Sequence, residues 1–93
     1  MQNITVYTQP GCGPCLATKR MLDSRGLAYR EVDMQSIDEH SRQQVLDLGH
    51  VAAPVVVVEQ PDAEDPSQRL RSWSSFRPDL IDDLQPGPAN PTP

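Results

Sequence analysis

Cys12 and Cys15 are the two cysteines of this chain, and Gly13 and Pro14 separate them. They follow an apolar alternation and precede a helical one, which puts the first sulfur at a helix N-terminus and the second one turn inside. That is a geometry for thiol–disulfide exchange. Exchange needs a thiolate, and an unperturbed thiol of pKa about 8.5 is only about 3% ionised at neutral pH. The unpaired N–H groups and partial positive charge of a helix N-terminus favour the thiolate of Cys12. Cys12 is therefore expected to be exposed and to attack a substrate disulfide, and Cys15 to resolve the mixed disulfide. A Cys12–Cys15 bridge remains, which an external reductant must reopen.

Such a bridge is a poor structural staple, because closing so short a loop removes little entropy from the unfolded chain. A Cys-x-x-Cys is also half of a zinc or iron–sulfur site, and His40 and His50 are the residues available to complete it. They stand ten apart, not the three to five of a zinc finger, and His40 falls on the polar face of a helix. Redox exchange is the preferred reading, with no metal expected, and a metal-binding module stays as the alternative from another class.

The elements around this pair follow from periodicity. Residues 3–8 alternate, with Ile4 and Val6 on one side and Thr5 and Tyr7 on the other, as in a strand. Pro10, Gly11 and Gly13 punctuate a loop, and Pro14 suits the first turn of a helix running to about Arg25. Its core face is expected to include Cys15, Leu16 and Leu22, with Thr18 and Met21 beside them, and to leave Lys19, Arg20 and Asp23 to solvent. Gly26 is placed as the cap. Residues 27–33 read as a second strand, and Ser36-Ile37-Asp38-Glu39 has the form of a capping box opening a second helix that ends at Gly49.

The run from Ala52 to Val58 is β-branched and continuous, as in a central strand buried on both faces. Pro54 is tolerated there as a first strand residue. Residues 59–68 are acidic and interrupted by Pro61 and Pro66, an exposed connection to a last strand at 69–73. Pro78 can start a third helix through Leu84, with Asp79 near the positive end of its dipole. The order β-α-β-α-β-β-α predicts an α/β domain over residues 1–84, with a four-stranded mixed sheet and three helices. Residues 85–93 carry four prolines and little apolar surface, and are expected to form a disordered tail.

Composition narrows the partners. The chain has 93 residues and a net charge of −5, and its eight basic residues are scattered, so nucleic acid is not an expected partner. No apolar run approaches the roughly 18–20 residues of a membrane span, and the N-terminus lacks a basic segment followed by an apolar one. A cytoplasmic monomer is expected.

Cys12-Gly13-Pro14-Cys15 after a first strand, with Ala53-Pro54 opening a later one, resembles the thioredoxin/glutaredoxin superfamily. The pieces Ile4-Thr5-Val6-Tyr7-Thr8-Gln9-Pro10, Leu48-Gly49 ahead of Ala53-Pro54-Val55-Val56-Val57, and Trp73-Ser74-Ser75-Phe76-Arg77-Pro78 are similar, more specifically, to NrdH-redoxins. They are spread along nearly the whole stretch from Ile4 to Leu84. NrdH-redoxins are small glutaredoxin-like proteins that donate electrons to class Ib ribonucleotide reductase and are rereduced by thioredoxin reductase. The resemblance implies a thioredoxin-like fold, no cofactor beyond the Cys12–Cys15 disulfide, and a cis Pro54 facing the cysteine loop. It also implies that Trp73, Ser74, Phe76 and Arg77 form a patch that docks protein partners, with Arg77 tying the segment to the rest of the fold. Read by packing alone, Trp73 and Phe76 are equally core residues.

The chain departs from the family in three places. Ser75 stands where the family motif has Gly, and Gly13-Pro14, the dipeptide that thioredoxins use, where bulkier or amide residues are usual. The connection at 59–68 is longer than usual and reads as a loop insertion. Glutaredoxins proper bind glutathione with a Thr-Val-Pro turn and a Gly-Gly segment, and the corresponding places here read Ala52-Ala53-Pro54 and Trp73-Ser74-Ser75-Phe76. A glutaredoxin- or mycoredoxin-type enzyme driven by a small thiol is the alternative within the redox class.

Overall fold

A computed structural model describes residues 2–50 and 52–84. The alternation at the start of the chain forms strand β1 (Asn3–Thr8), followed by helix α1 (Gly13–Ser24), strand β2 (Arg30–Asp33) and helix α2 (Glu39–Leu46). Strand β3 (Val55–Glu59), a short 3-10 turn (Pro66–Gln68), strand β4 (Leu70–Ser74) and helix α3 (Pro78–Asp82) complete it. The four strands lie in the order β2-β1-β3-β4. β1 pairs with β2 in parallel, while β3 runs antiparallel to both β1 and β4. This is the expected mixed sheet, with three helices around it. The tail expected at 85–93 lies outside the described residues.

β3 explains why the sheet is covered on both faces. Its alternate residues Val56 and Val58 join Ile4, Val6, Trp73 and, from the helices, Leu22 and Ile81 in the larger core. Val55 and Val57 point the other way, toward Val45 of α2, with Tyr7 and Met34 packed alongside. Each buried valine contributes about 1.5–3 kcal/mol relative to exposure, so a strand with four of them is strongly committed to the interior.

α1 is bounded by its own chemistry. Cys12 is the N-cap and Pro14 lies in the first turn. At the other end Gly26 has φ 69°, its N–H bonds the Asp23 carbonyl, and Leu27 N–H bonds the Leu22 carbonyl. This pair of bonds is a Schellman motif, closed by the apolar pair Leu22 and Leu27, both buried. Leu27 thus serves the end of the helix, and β2 is confined to Arg30–Asp33, shorter than the expected strand.

Three further expectations are corrected. Leu16 is 46% exposed and outside the core. The buried stripe runs Cys15, Thr18, Leu22, and Leu16 lies about 100° round from Cys15 on the side away from Thr18. Lys19 is not a free surface group but pairs with Glu31. Finally, the capping box does not form, because α2 starts at Glu39 with Asp38 as its N-cap. Asp33 takes the preceding residues into a turn, accepting Gln35 N–H on its side chain at 2.8 Å and Ser36 N–H on its carbonyl at 2.9 Å.

The two leucines of α1 test this packing. Leu22→Ala, at a site with no exposure, is expected to cost about 2–5 kcal/mol in urea unfolding of the oxidised protein. Leu16→Ala is expected to stay within about 0.5 kcal/mol of the parent. Equal losses would mean that the face of α1 is assigned wrongly.

Candidate active site

Three connections leave the sheet at one end, and the register shows why. Tyr7 of β1 lies opposite Val55 of β3, and Val55 opposite Ser74 of β4. The loop after β1, Pro54 before β3 and Ser75 after β4 therefore meet at the same edge. The Ala53–Pro54 bond is cis. Ser75 N–H donates to the Pro54 carbonyl at 2.9 Å, which continues the β3–β4 ladder by one residue and joins the two conspicuous sequence features, the Ala-Pro turn and the Trp-Ser-Ser-Phe-Arg-Pro segment.

Cys12 and Cys15 form a disulfide, with Cα atoms 5.2 Å apart. Cys12 is in the N-cap position with an extended backbone, and its Sγ accepts Cys15 N–H at 3.2 Å. The sulfur thus satisfies one of the N–H groups that a helix start leaves unpaired, and sits in the positive end of the helix dipole. Cys12 is half-buried, while Cys15 is 3% exposed and seals the interior behind it. Gly13 and Pro14 are exposed between them. An open groove of about 390 Å³ runs beside the pair, lined also by Gln9, Gly11, Gly13, Leu16, Lys19 and Glu31.

The other sequence candidates separate by depth. Trp73 is 4% exposed and packed in the larger core, with the Arg71 guanidinium 5.9 Å from its ring centroid. Its Nε1 has no hydrogen-bond partner among the described residues. Ser74 is half-buried at the end of β4, while Phe76 is 37% exposed. Among the described residues the side-chain hydrogen bonds of Arg77 are local. Its guanidinium bonds Asp79 at 3.1 and 3.0 Å, within the first turn of α3, and holds that carboxyl below the usual carboxylate range. The histidines are apart from the cysteine loop in their bonding. His50 Nε2 is 2.8 Å from Ser72 Oγ, and His40 is exposed on α2. Among the described residues no three His, Cys, Asp or Glu side chains are grouped to hold a metal ion.

Lys19 and Glu31 are groove residues that the sequence reading left out. Lys19 follows Cys15 by four, one turn along the same helix face. Glu31 carries no local signal, since only the parallel pairing that sets Val6 opposite Glu31 brings β2 alongside the site.

Known proteins share this arrangement. The glutaredoxin family model matches residues 4–61. The glutaredoxin-like protein NrdH of Escherichia coli K12 is 35% identical over 85 residues, covering 91% of either chain. That of Salmonella typhimurium LT2 is 36% identical over 86 residues, covering 92% of this chain and 93% of its own. The solved structure of NrdH-redoxin from E. coli, a glutaredoxin-like protein with a thioredoxin-like activity profile, superposes with a TM-score of 0.69 at 32% identity, covering 92% of this chain and 99% of the other.

Ser75 offers a test of how the site is held. Its φ of 68° lies in the left-handed region, which costs an L-residue roughly 1–2 kcal/mol and glycine almost nothing. The greater freedom of glycine in the unfolded chain offsets part of that gain. Ser75→Gly is expected to raise stability by about 0.5–1 kcal/mol, as a higher urea midpoint at unchanged slope. An unchanged or lower midpoint would contradict the strained turn.

Proposed function

The chain belongs to the glutaredoxin family, with the NrdH-redoxins among its relatives, and from that premise we propose that it carries electrons from thioredoxin reductase to the disulfide of a class Ib ribonucleotide reductase. The coarser activity is that of the family, protein-disulfide oxidoreduction through the Cys12–Cys15 pair. The finer reading is carried by the likeness to the NrdH relatives, and the assignment of roles within the pair by the asymmetry of the two sulfurs: Cys12 half-exposed at the helix cap, Cys15 buried one turn behind.

In the proposed cycle the Cys12 thiolate attacks one sulfur of the target disulfide, and the other target sulfur leaves as a thiolate and takes a proton from water. Cys15 then loses its proton and attacks Cys12 Sγ, which expels the second target thiolate and closes the Cys12–Cys15 bond. Two electrons pass to the target, and the reductase returns two. Gly13 and Pro14 keep the loop between the sulfurs slim, so that a protein disulfide can approach. Phe76, with the exposed Leu16, offers apolar surface to the docking partner, while Trp73, Ser74 and Pro54 shape and support the floor.

The thioredoxin-like activity profile reported for the E. coli relative supports reduction by a flavoenzyme over reduction by a small thiol. So does the turn itself, in which Ala52-Ala53-Pro54 leaves no threonine side chain to hold a small peptide thiol. Reduction takes place in the cytoplasm, with the protein acting as a monomer. Among the described residues no helix is long and apolar enough to cross a membrane.

Two measurements test this. Oxidised protein is expected to be reopened by NADPH with thioredoxin reductase and, once reduced, to sustain class Ib ribonucleotide reductase turnover. Reopening by glutathione or mycothiol alone would favour the small-thiol enzyme instead. Cys12→Ser is expected to abolish exchange, and Cys15→Ser to accumulate a mixed disulfide with the target through Cys12. Trapping through Cys15 in the Cys12→Ser protein would reverse the two roles.

A further inference from the structure

Lys19 is the single lysine of the chain, and it lines the same groove as both cysteines. Its Nζ lies 2.9 Å from Glu31 Oε2, with the two side chains 24% and 46% exposed. The hydroxyl of buried Thr8 stands 3.5 Å from the same carboxylate oxygen. α1 thus supplies a cation, β2 an anion and the end of β1 a hydroxyl, beside the redox pair. Of the residues lining the groove, Lys19 and Glu31 are the charged ones, and the remaining titratable groups are the two cysteines.

An exposed ion pair contributes little to folding stability, so its position has mainly an electrical consequence. Negative charge appears in this groove whenever the bridge opens, first on Cys12 and then, during resolution, on Cys15. A cation there favours the thiolate and an anion opposes it. Lys19 alone would raise the thiolate fraction; with Glu31 bound to it, the field is that of a dipole. Since a thiol is a weaker nucleophile the further its pKa falls, partial cancellation leaves the thiolate both populated and reactive.

We propose that Glu31 is a positioning residue for disulfide exchange that acts by offsetting the charge of Lys19 at the groove wall, so that the Lys19–Glu31 pair sets how far the reactive thiolate is favoured. This rests on the reading of Cys12 and Cys15 as the exchanging pair. Glu31 touches no reacting atom and acts through Lys19.

The test is a thiolate titration of the reduced protein, by ultraviolet absorbance and by the pH dependence of alkylation, in the parent, Glu31→Gln, Lys19→Gln and the double variant. Glu31→Gln is expected to move the titration to lower pH, with about twice the thiolate at a pH on its rising limb, and Lys19→Gln to move it upward by a similar factor. The double variant should return close to the parent, Lys19→Arg should stay with it, and added salt should narrow the differences. A purely structural pair would change thermal unfolding and leave the titration alone. Coincident titrations of all variants, or a shift of both single variants in one direction, overturn the proposal. Should either single variant fail to fold, the other and Lys19→Arg decide by the same criterion. Failure of the exchange reading itself looks different, as a reduced parent protein that does not reduce insulin disulfides.

Discussion

Val55, Val56, Val57 and Val58 lose nearly all contact with water because β3 pairs with β1 on one side and β4 on the other. The same pairing sets Tyr7, Val55 and Ser74 in one row, so the cysteine loop, the cis Ala53–Pro54 bond and the turn at Ser75 leave the sheet together. A slip of one residue would turn every side chain of β3 to the opposite face; the valines would merely exchange places, but Glu59 would enter the buried place of Val58 or Pro54 the place of Val55. The residues that bound the valine run, Pro54 and Glu59, therefore fix register, and register fixes the site. The redox pair rests on a framework that is specified mainly by hydrophobic burial.

On that framework the reactivity comes from a helix end. A helix begins with N–H groups that its own carbonyls do not reach, and Cys12 Sγ occupies the place that a serine or aspartate oxygen usually fills. Sulfur is a weak acceptor when neutral or in a disulfide, and a much better one as a thiolate, so this bond strengthens as charge appears. Cys15 is fastened on the buried stripe of the same helix, which keeps the second sulfur close to the first and away from solvent. One helix start thus makes the two cysteines different, one capping the helix and the other buried on its inner stripe.

The Trp73–Phe76 segment shows how little separates support from surface. Trp73 lies opposite Val56 and packs inward with it, whereas three residues later the chain has left the strand through a left-handed Ser75 and Phe76 is partly in solvent. Packing alone reads both aromatics as core and the family resemblance reads both as a docking patch, and strand alternation does not say where the strand stops. The turn places Trp73 inside and Phe76 at the surface. The guanidinium of Arg77 likewise meets a near neighbour, Asp79, in the turn that opens α3.

Much of the protein was legible before any coordinates. The strand alternation from Asn3, the Pro14 start and Gly26 stop of α1, the continuous valines of β3 and the turn chemistry of 59–68 are each local, and local pattern is enough for elements whose burial agrees with their periodicity. The chemistry of Cys12 and Cys15 was local too, because it depends on two sulfurs and the helix they open. What the sequence did not disclose depends on partners far along the chain. Leu16 falls off the buried stripe because of where the sheet lies, and the Ser36 capping box yields to a turn closed by Asp33. Lys19 meets Glu31 because β2 lies parallel to β1. Periodicity reports which residues seek an interior, and only the packed sheet determines which side chains meet there or at its rim.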